Sequence, residues 1–163
     1  MSEHGGTTYR PWEPQRSQQE AHSPASKLPE GDVVFFLLDT VPQLDVRRLY
    51  APYEQAPRGA PPFDPALMVC LWLYAYSVGV LSSRTIALAC ERNLAFLAMV
   101  GQVRPDFRTI SDFRKRHVEA FKDVFVQVVR LAGEAGLVQL GNLSTDGTKL
   151  PGHASRHKAM SYE

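Results

Sequence analysis

Cysteine is scarce in this chain of 163 residues: only Cys70 and Cys90 occur, both in apolar stretches and without CxxC spacing. That excludes a disulfide scaffold and a cysteine zinc framework, and reads as reduced thiols in a cytosolic protein. Net charge is scarce too. Lys and Arg number 18 against 17 Asp and Glu, a balance of +1, so any surface for a polyanion must come from local clustering. The longest apolar run, Ala66 to Leu81, is interrupted by Ser77 and Gly79. It falls short of the ~20 residues of a membrane span and reads as a buried helix. The N-terminus lacks the basic-then-apolar order of a secretory signal, and no repeat recurs at a solenoid period. At 44% hydrophobic, the chain can bury one core of ordinary size.

Residues 1–30 are polar, carry Pro11, Pro14, Pro24 and Pro29, and show no periodicity. Such a segment buries too little apolar surface to offset its ordering entropy, so it reads as a flexible arm with Tyr9 and Trp12 as its only anchors. From Asp32, a candidate N-cap, Val33, Phe36, Leu37 and Val41 recur at helical spacing until Pro42. Asp45 can cap a further turn holding Val46, Leu49 and Tyr50. Five prolines and Gly59 mark residues 51–65 as a loop. Asp64-Pro65 then restarts a helix, apolar nearly all round and hence central, which Gly79 closes. Ser82 or Ser83 can start another helix to about Arg92, and a short one, Leu94 to Val100, ends at Gly101. Short helices with tight turns suit a helix-turn-helix unit and equally any small bundle. One long helix is predicted from Thr109 or Ser111 to Gly136, with Phe113, Val118, Phe121, Phe125, Val128, Val129 and Ala132 along it. Leu137 to Thr145 is compatible with a strand.

Two places could carry chemistry. Arg104 to His117 concentrates five basic residues against two Asp across a loop and a helix start. Phosphate backbones are held by such clusters, with hydroxyls and helix N-terminal N–H groups as further donors, and Arg104, Arg108, Thr109, Ser111, Arg114, Lys115 and Arg116 are the candidates. A solvated charged face is the competing reading, because Arg114, Lys115 and Arg116 run consecutively and spread around a helix. The second place is Asp146-Gly147-Thr148-Lys149, followed by His153, Arg156, His157 and Lys158, with no acid until Glu163. Asp-Gly is also a common hairpin turn. His153 and His157 are spaced i, i+4, but the further ligands of a zinc site are missing nearby.

The order of these motifs resembles one family. Phe63-Asp64-Pro65, Leu73-Tyr74-Ala75-Tyr76, Ser82-Ser83-Arg84, the run Arg104 to His117 and Asp146-Gly147-Thr148-Lys149 with Ala154 to Tyr162 together resemble bacterial insertion-sequence transposases of the DDE type with an InsH-like N-terminal domain. The resemblance covers about residues 31–163. Pro151-Gly152-His153 departs from the small polar residues expected after the Asp-Gly-Thr-Lys motif.

The resemblance implies a mostly α chain. A flexible arm (1–30) precedes a helical, helix-turn-helix-like DNA-binding domain (31–137), and residues 138–163 open a truncated RNase H-like α/β domain at its first strand. It implies that the chain binds the terminal inverted repeats of an insertion sequence on double-stranded DNA, with a homodimer among the expected assemblies, no membrane partner, and a place in the bacterial cytoplasm at the nucleoid. Asp146 is then the catalytic, metal-binding first acid of three, holding Mg²⁺ or Mn²⁺ in the complete protein. Arg84, Lys149, Arg156 and Lys158 join the DNA-binding candidates. Without the second Asp and the Glu, this fragment is expected not to cleave DNA. A free-standing DNA-binding regulator and a helical interaction module are the rival expectations.

Overall fold

The computed structural model of the chain describes residues 3–4, 7–13, 22–54 and 60–136. Its described part is mostly helical, with one small hairpin in which β1 (Glu3–His4) pairs antiparallel with β2 (Thr7–Thr8). Seven α-helices follow among the described residues: α1 Val33–Thr40, α2 Arg47–Glu54, α3 Pro65–Ser77, α4 Ser83–Arg92, α5 Leu94–Val100, α6 Phe107–Arg116 and α7 Val118–Glu134. Short 3-10 turns stand at Ala25–Lys27 and Val41–Gln43.

The caps explain where several helices begin. Asp32 accepts from the Val34 N–H at 2.9 Å and Asp64 from the Ala66 N–H at 2.9 Å, each satisfying a donor that the first turn leaves open. Pro65 follows at the first helical position, where no N–H is needed. Asn93 caps α5 in the same way, by accepting from Ala95 and Phe96. Gly79 and Gly101, at φ 73° and 60°, supply the left-handed residues that end α3 and α5.

Helix α3 is the centre of the molecule. Every residue from Pro65 to Ala75 is buried, so α3 has no solvent face and the other helices must enclose it. Helices α1 and α5 pack on it and on each other, α4 packs on α5 and α6, and α7 joins through α2 and α6. Trp72 reaches across to α6, donating its indole N–H to the Ile110 carbonyl at 3.1 Å, so the largest apolar side chain of the core is also hydrogen-bonded. Cys70 and Cys90 are buried free thiols, and burial pushes Cys90 up to about 12. Among the described residues, no helix is long and apolar enough to cross a membrane.

Four expectations need correction. The long helix expected to Gly136 is two helices, broken at His117 (φ −112°, ψ 20°), and it starts at the cap Asp106, upstream of Thr109 and Ser111. The periodicity runs through the break because Phe113 and Phe121 both still face the core. The loop expected over 51–65 begins later, since α2 continues through Pro52 to Glu54. A proline in the last turn forfeits one backbone bond, a loss that the surrounding packing tolerates here.

The segment expected to be a free arm is partly docked. Tyr9 is fully buried, the Arg10 N–H donates to the Pro62 carbonyl at 2.9 Å, and the Trp12 indole donates to the Met99 carbonyl at 2.9 Å. Ser23 and Ala25 are buried as well. Two aromatic anchors outweigh the polar composition around them, because each buries a large apolar surface at low side-chain entropy cost. The strand expected over Leu137 to Thr145 lies outside the described residues.

The docking of this segment has a measurable consequence. Replacing Tyr9 with Ala leaves a ring-sized void, and chemical denaturation should show a loss of about 3 kcal/mol. An unchanged midpoint and slope would return residues 7–12 to the status of a free arm.

Candidate nucleic-acid interface

The basic run from Arg104 to His117 forms α6 and its lead-in loop. Ile110, Phe113 and His117 are buried, at i, i+3 and i+7, and define the inner side. The outermost ridge therefore carries Arg108, Asp112 and Lys115, all exposed, at i, i+4 and i+7. Thr109 and Arg116 occupy one flank, and Phe107 and Arg114 the other.

Aromatic rings hold most of these cations in place. Arg84, from the first turn of α4, and Arg108, from the first turn of α6, both lie over the Phe107 ring, at 5.1 Å and 5.7 Å from its centre. Packing of α4 on α6 thus brings two expected DNA-binding residues together although they are far apart in sequence. Arg114 lies over Trp72 at 5.1 Å and over Tyr76 at 5.8 Å, and Arg116 over Tyr53 at 5.5 Å. A ring attracts a guanidinium through its quadrupole without cancelling its charge. The ion pairs among the described residues are Asp45–Arg47, Arg48–Asp123 and Glu119–Lys122, none of which uses a cation of this surface. Among the described residues, no ion pair neutralises Arg84, Arg108, Arg114, Lys115 or Arg116.

Other candidates are placed less favourably. Arg104 folds back on its own loop, donating from Nη1 to the Gly101 and Val103 carbonyls, both at 2.7 Å. Asp106 already caps α6, accepting from the Arg108 and Thr109 N–H groups at 2.8 and 3.1 Å and from the Thr109 hydroxyl at 2.8 Å. These bonds, those from Thr109 foremost, hold its carboxyl below the usual carboxylate range. The open helix N-terminus expected to receive phosphate is thus occupied by a carboxylate, and the Thr109 hydroxyl proton is already used. Ser111 is half-buried. Asp146, Lys149, Arg156 and Lys158 lie outside the described residues, and among the described residues no group of three or more His, Cys, Asp or Glu could hold a metal ion.

His117, which the sequence offered only as the end of a basic run, sits at the hinge between α6 and α7. Its ring is 3% exposed, stacks on Tyr53 at 5.7 Å, lies 4.6 Å from Phe113, and places Nε2 3.2 Å from the Tyr53 hydroxyl. Burial, with the neighbouring Arg116 charge second, pushes its pKa down to about 4. No spacing in the sequence marks this histidine as buried, because the signal is a partner ring 64 positions away.

Among known families, the profile of the transposase domain DUF772 matches residues 22–116, more than half of the 163. No curated protein and no solved structure matches the chain.

The depressed pKa of His117 sets a pH dependence. The fold favours the neutral imidazole, so its contribution is complete above the ordinary pKa of about 6.5 and is lost as pH falls through about 4. Between pH 7 and pH 4 the wild type should lose on the order of 2 kcal/mol more stability than His117→Gln, after discounting for partial solvent screening. Parallel stability–pH curves for the two proteins would show that this ring does not titrate against the fold.

Proposed function

The chain belongs to the transposase domain family DUF772, and from that premise we propose that it binds double-stranded DNA through the face shared by α4 and α6. In this reading α6 is the recognition element of a helix-turn-helix-like unit and the DNA is the terminal inverted repeat of an insertion sequence. The observation that carries it is the cluster Arg84, Arg108 and Lys115, exposed and without ion pairs among the described residues. Counterion release from the duplex rewards such unneutralised cations directly. Arg108 and Lys115, one helical ridge seven positions apart, suit contacts to phosphates or to base edges in a major groove.

The catalytic part of the proposal rests on the motif at Asp146. We assign it as the first acid of a DDE set in an RNase H-like domain, a ligand for Mg²⁺ or Mn²⁺. Hard oxygen ligands and a paired metal site would serve phosphoryl transfer on DNA, with one cation activating the nucleophile and the other stabilising the leaving oxygen. In a protein carrying all three acids, Asp146→Asn should abolish strand cleavage while leaving DNA affinity intact. Equal cleavage by the Asn variant would reduce Asp146-Gly147 to a turn.

A second reading, a helical interaction module, draws on the outer side of α7. Val118, Phe125 and Val126 there are 43%, 41% and 57% exposed. The two readings separate in a binding titration. Replacing Arg108 and Lys115 with Ala should weaken duplex binding and reduce the slope of log affinity on log salt by roughly 2, because each cation removed leaves about one more counterion on the DNA. A wild type that does not bind duplex DNA at low salt would leave the interaction module as the better explanation.

A further inference from the structure

On the flank of α6 that carries Thr109 and Arg116, a cleft of about 290 Å³ opens, and the duplex contacts proposed for Arg84, Arg108 and Lys115 lie outside it. Its walls come from five stretches: Arg10 from the docked N-terminal segment, Tyr53 from α2, the loop at residues 60–63, Met68 from α3, and α6 with Asp112 and Arg116. The volume lies at the lower edge of small-ligand sites, about 300 to 1,000 Å³.

Arg10 is held rigidly. Its Nε donates to the Pro61 carbonyl at 2.9 Å, and its guanidinium lies 4.3 Å over the Phe63 ring. With one edge and one face engaged, the two terminal nitrogens are left in a fixed fork, the geometry that grips a phosphate or carboxylate bidentately. Arg116, held over Tyr53, adds a second guanidinium to the same cleft. Neither arginine is among the ion pairs of the described residues. Two arginines alone would suit any small dianion, but the cleft also presents the Asp112 carboxylate and an apolar floor of Ala60, Pro61 and Pro62, with Met68 and Phe113 buried behind it. Asp112 disfavours a bare anion and rewards a ligand that also donates a hydrogen bond. The floor rewards a flat apolar body.

We propose that this cleft binds one unpaired nucleotide of a DNA strand, with Arg10 and Arg116 on its phosphate, the base against the apolar floor, and Asp112 accepting from an exocyclic amine. The proposal rests on the DNA-binding reading and deepens it. The α6 ridge engages the paired duplex, and the adjoining cleft takes a nucleotide released from pairing. Adenine, cytosine and guanine carry the required amine, whereas thymine does not.

The test compares two labelled duplexes, identical except that one ends in a single unpaired adenine. Wild-type protein should bind the overhang at least about fivefold more tightly, the scale of one stacked base. Arg10→Ala should bring that ratio to one while leaving the paired duplex within twofold of wild type. Asp112→Leu, at an exposed position where the acceptor is removed altogether, gives a second reading if Arg10→Ala fails to fold, and should also reduce the ratio. A thymine overhang should gain less than adenine. A wild type that binds both duplexes equally, or a ratio that survives both substitutions, overturns the cleft assignment and leaves duplex binding in place. Binding of neither duplex overturns both. If dAMP alone binds with Arg10 dependence while the overhang gives no gain, the ligand is a free nucleotide and the assignment to a DNA strand is wrong.

Discussion

The indole of Trp72 sets the placement of the basic surface. Helix α3 is buried along its length from Pro65 to Ala75, so the chain must wrap it with helices on every side. One of those helices, α6, is strongly polar and buries only Ile110 and Phe113 within its span. Trp72 compensates for that narrow apolar stripe. It adds a hydrogen bond to the Ile110 carbonyl and a ring beneath Arg114, which fixes the rotation of α6 about its own axis. Once that rotation is set, Arg108 and Lys115 point outward and Thr109 and Arg116 border the cleft.

The electrostatics of this surface follow from what holds its side chains. An exposed arginine paired with a carboxylate is neutralised and of little use to a polyanion, and such a pair is worth little to stability. An arginine laid on a ring keeps its full charge while losing rotamer freedom before any ligand arrives. Arg84 and Arg108 share Phe107, Arg114 uses Trp72 and Tyr76, and Arg116 uses Tyr53; in the neighbouring cleft, apart from this surface, Arg10 lies on Phe63 in the same way. The overall charge of +1 hides this arrangement, because several acids are spent on caps, such as Asp32, Asp64 and Asp106, and Asp112 is the one carboxylate on the outer ridge of α6.

How much of this could be read from the sequence depends on the range of the interaction involved. The caps Asp32 and Asp64 and the stop at Gly101 are local, decided within a few residues, and they were legible. Asp106 was obscured because Thr109 and Ser111 are competent caps nearby, and the Arg108 and Thr109 N–H groups donating to Asp106 reveal which residue serves. The break at His117 was illegible, since apolar spacing continues across it and the ring that His117 stacks on, Tyr53, belongs to another helix. Tyr9 and Trp12 stand out in the sequence as anchors, but their sockets, including the Met99 carbonyl, lie far away in the chain. The basic run was visible as composition. Its division into ridge, capped start and cleft wall was not, because that division depends on which side of α6 meets Trp72. Arg10 carried no sequence signal at all.

If Trp72 turns α6 so that its basic side faces DNA, amide hydrogen exchange with and without a duplex should show it. Bound DNA should slow exchange in residues 104–116 and in the first turn of α4, while residues 128–134 at the end of α7 exchange as before. Trp72→Phe, which keeps an aromatic ring but loses the N–H, should shrink that protection. A stable complex that leaves residues 104–116 unprotected, or confines its protection to α7, would mean that DNA is held by some other face and that Trp72 does not orient the binding surface.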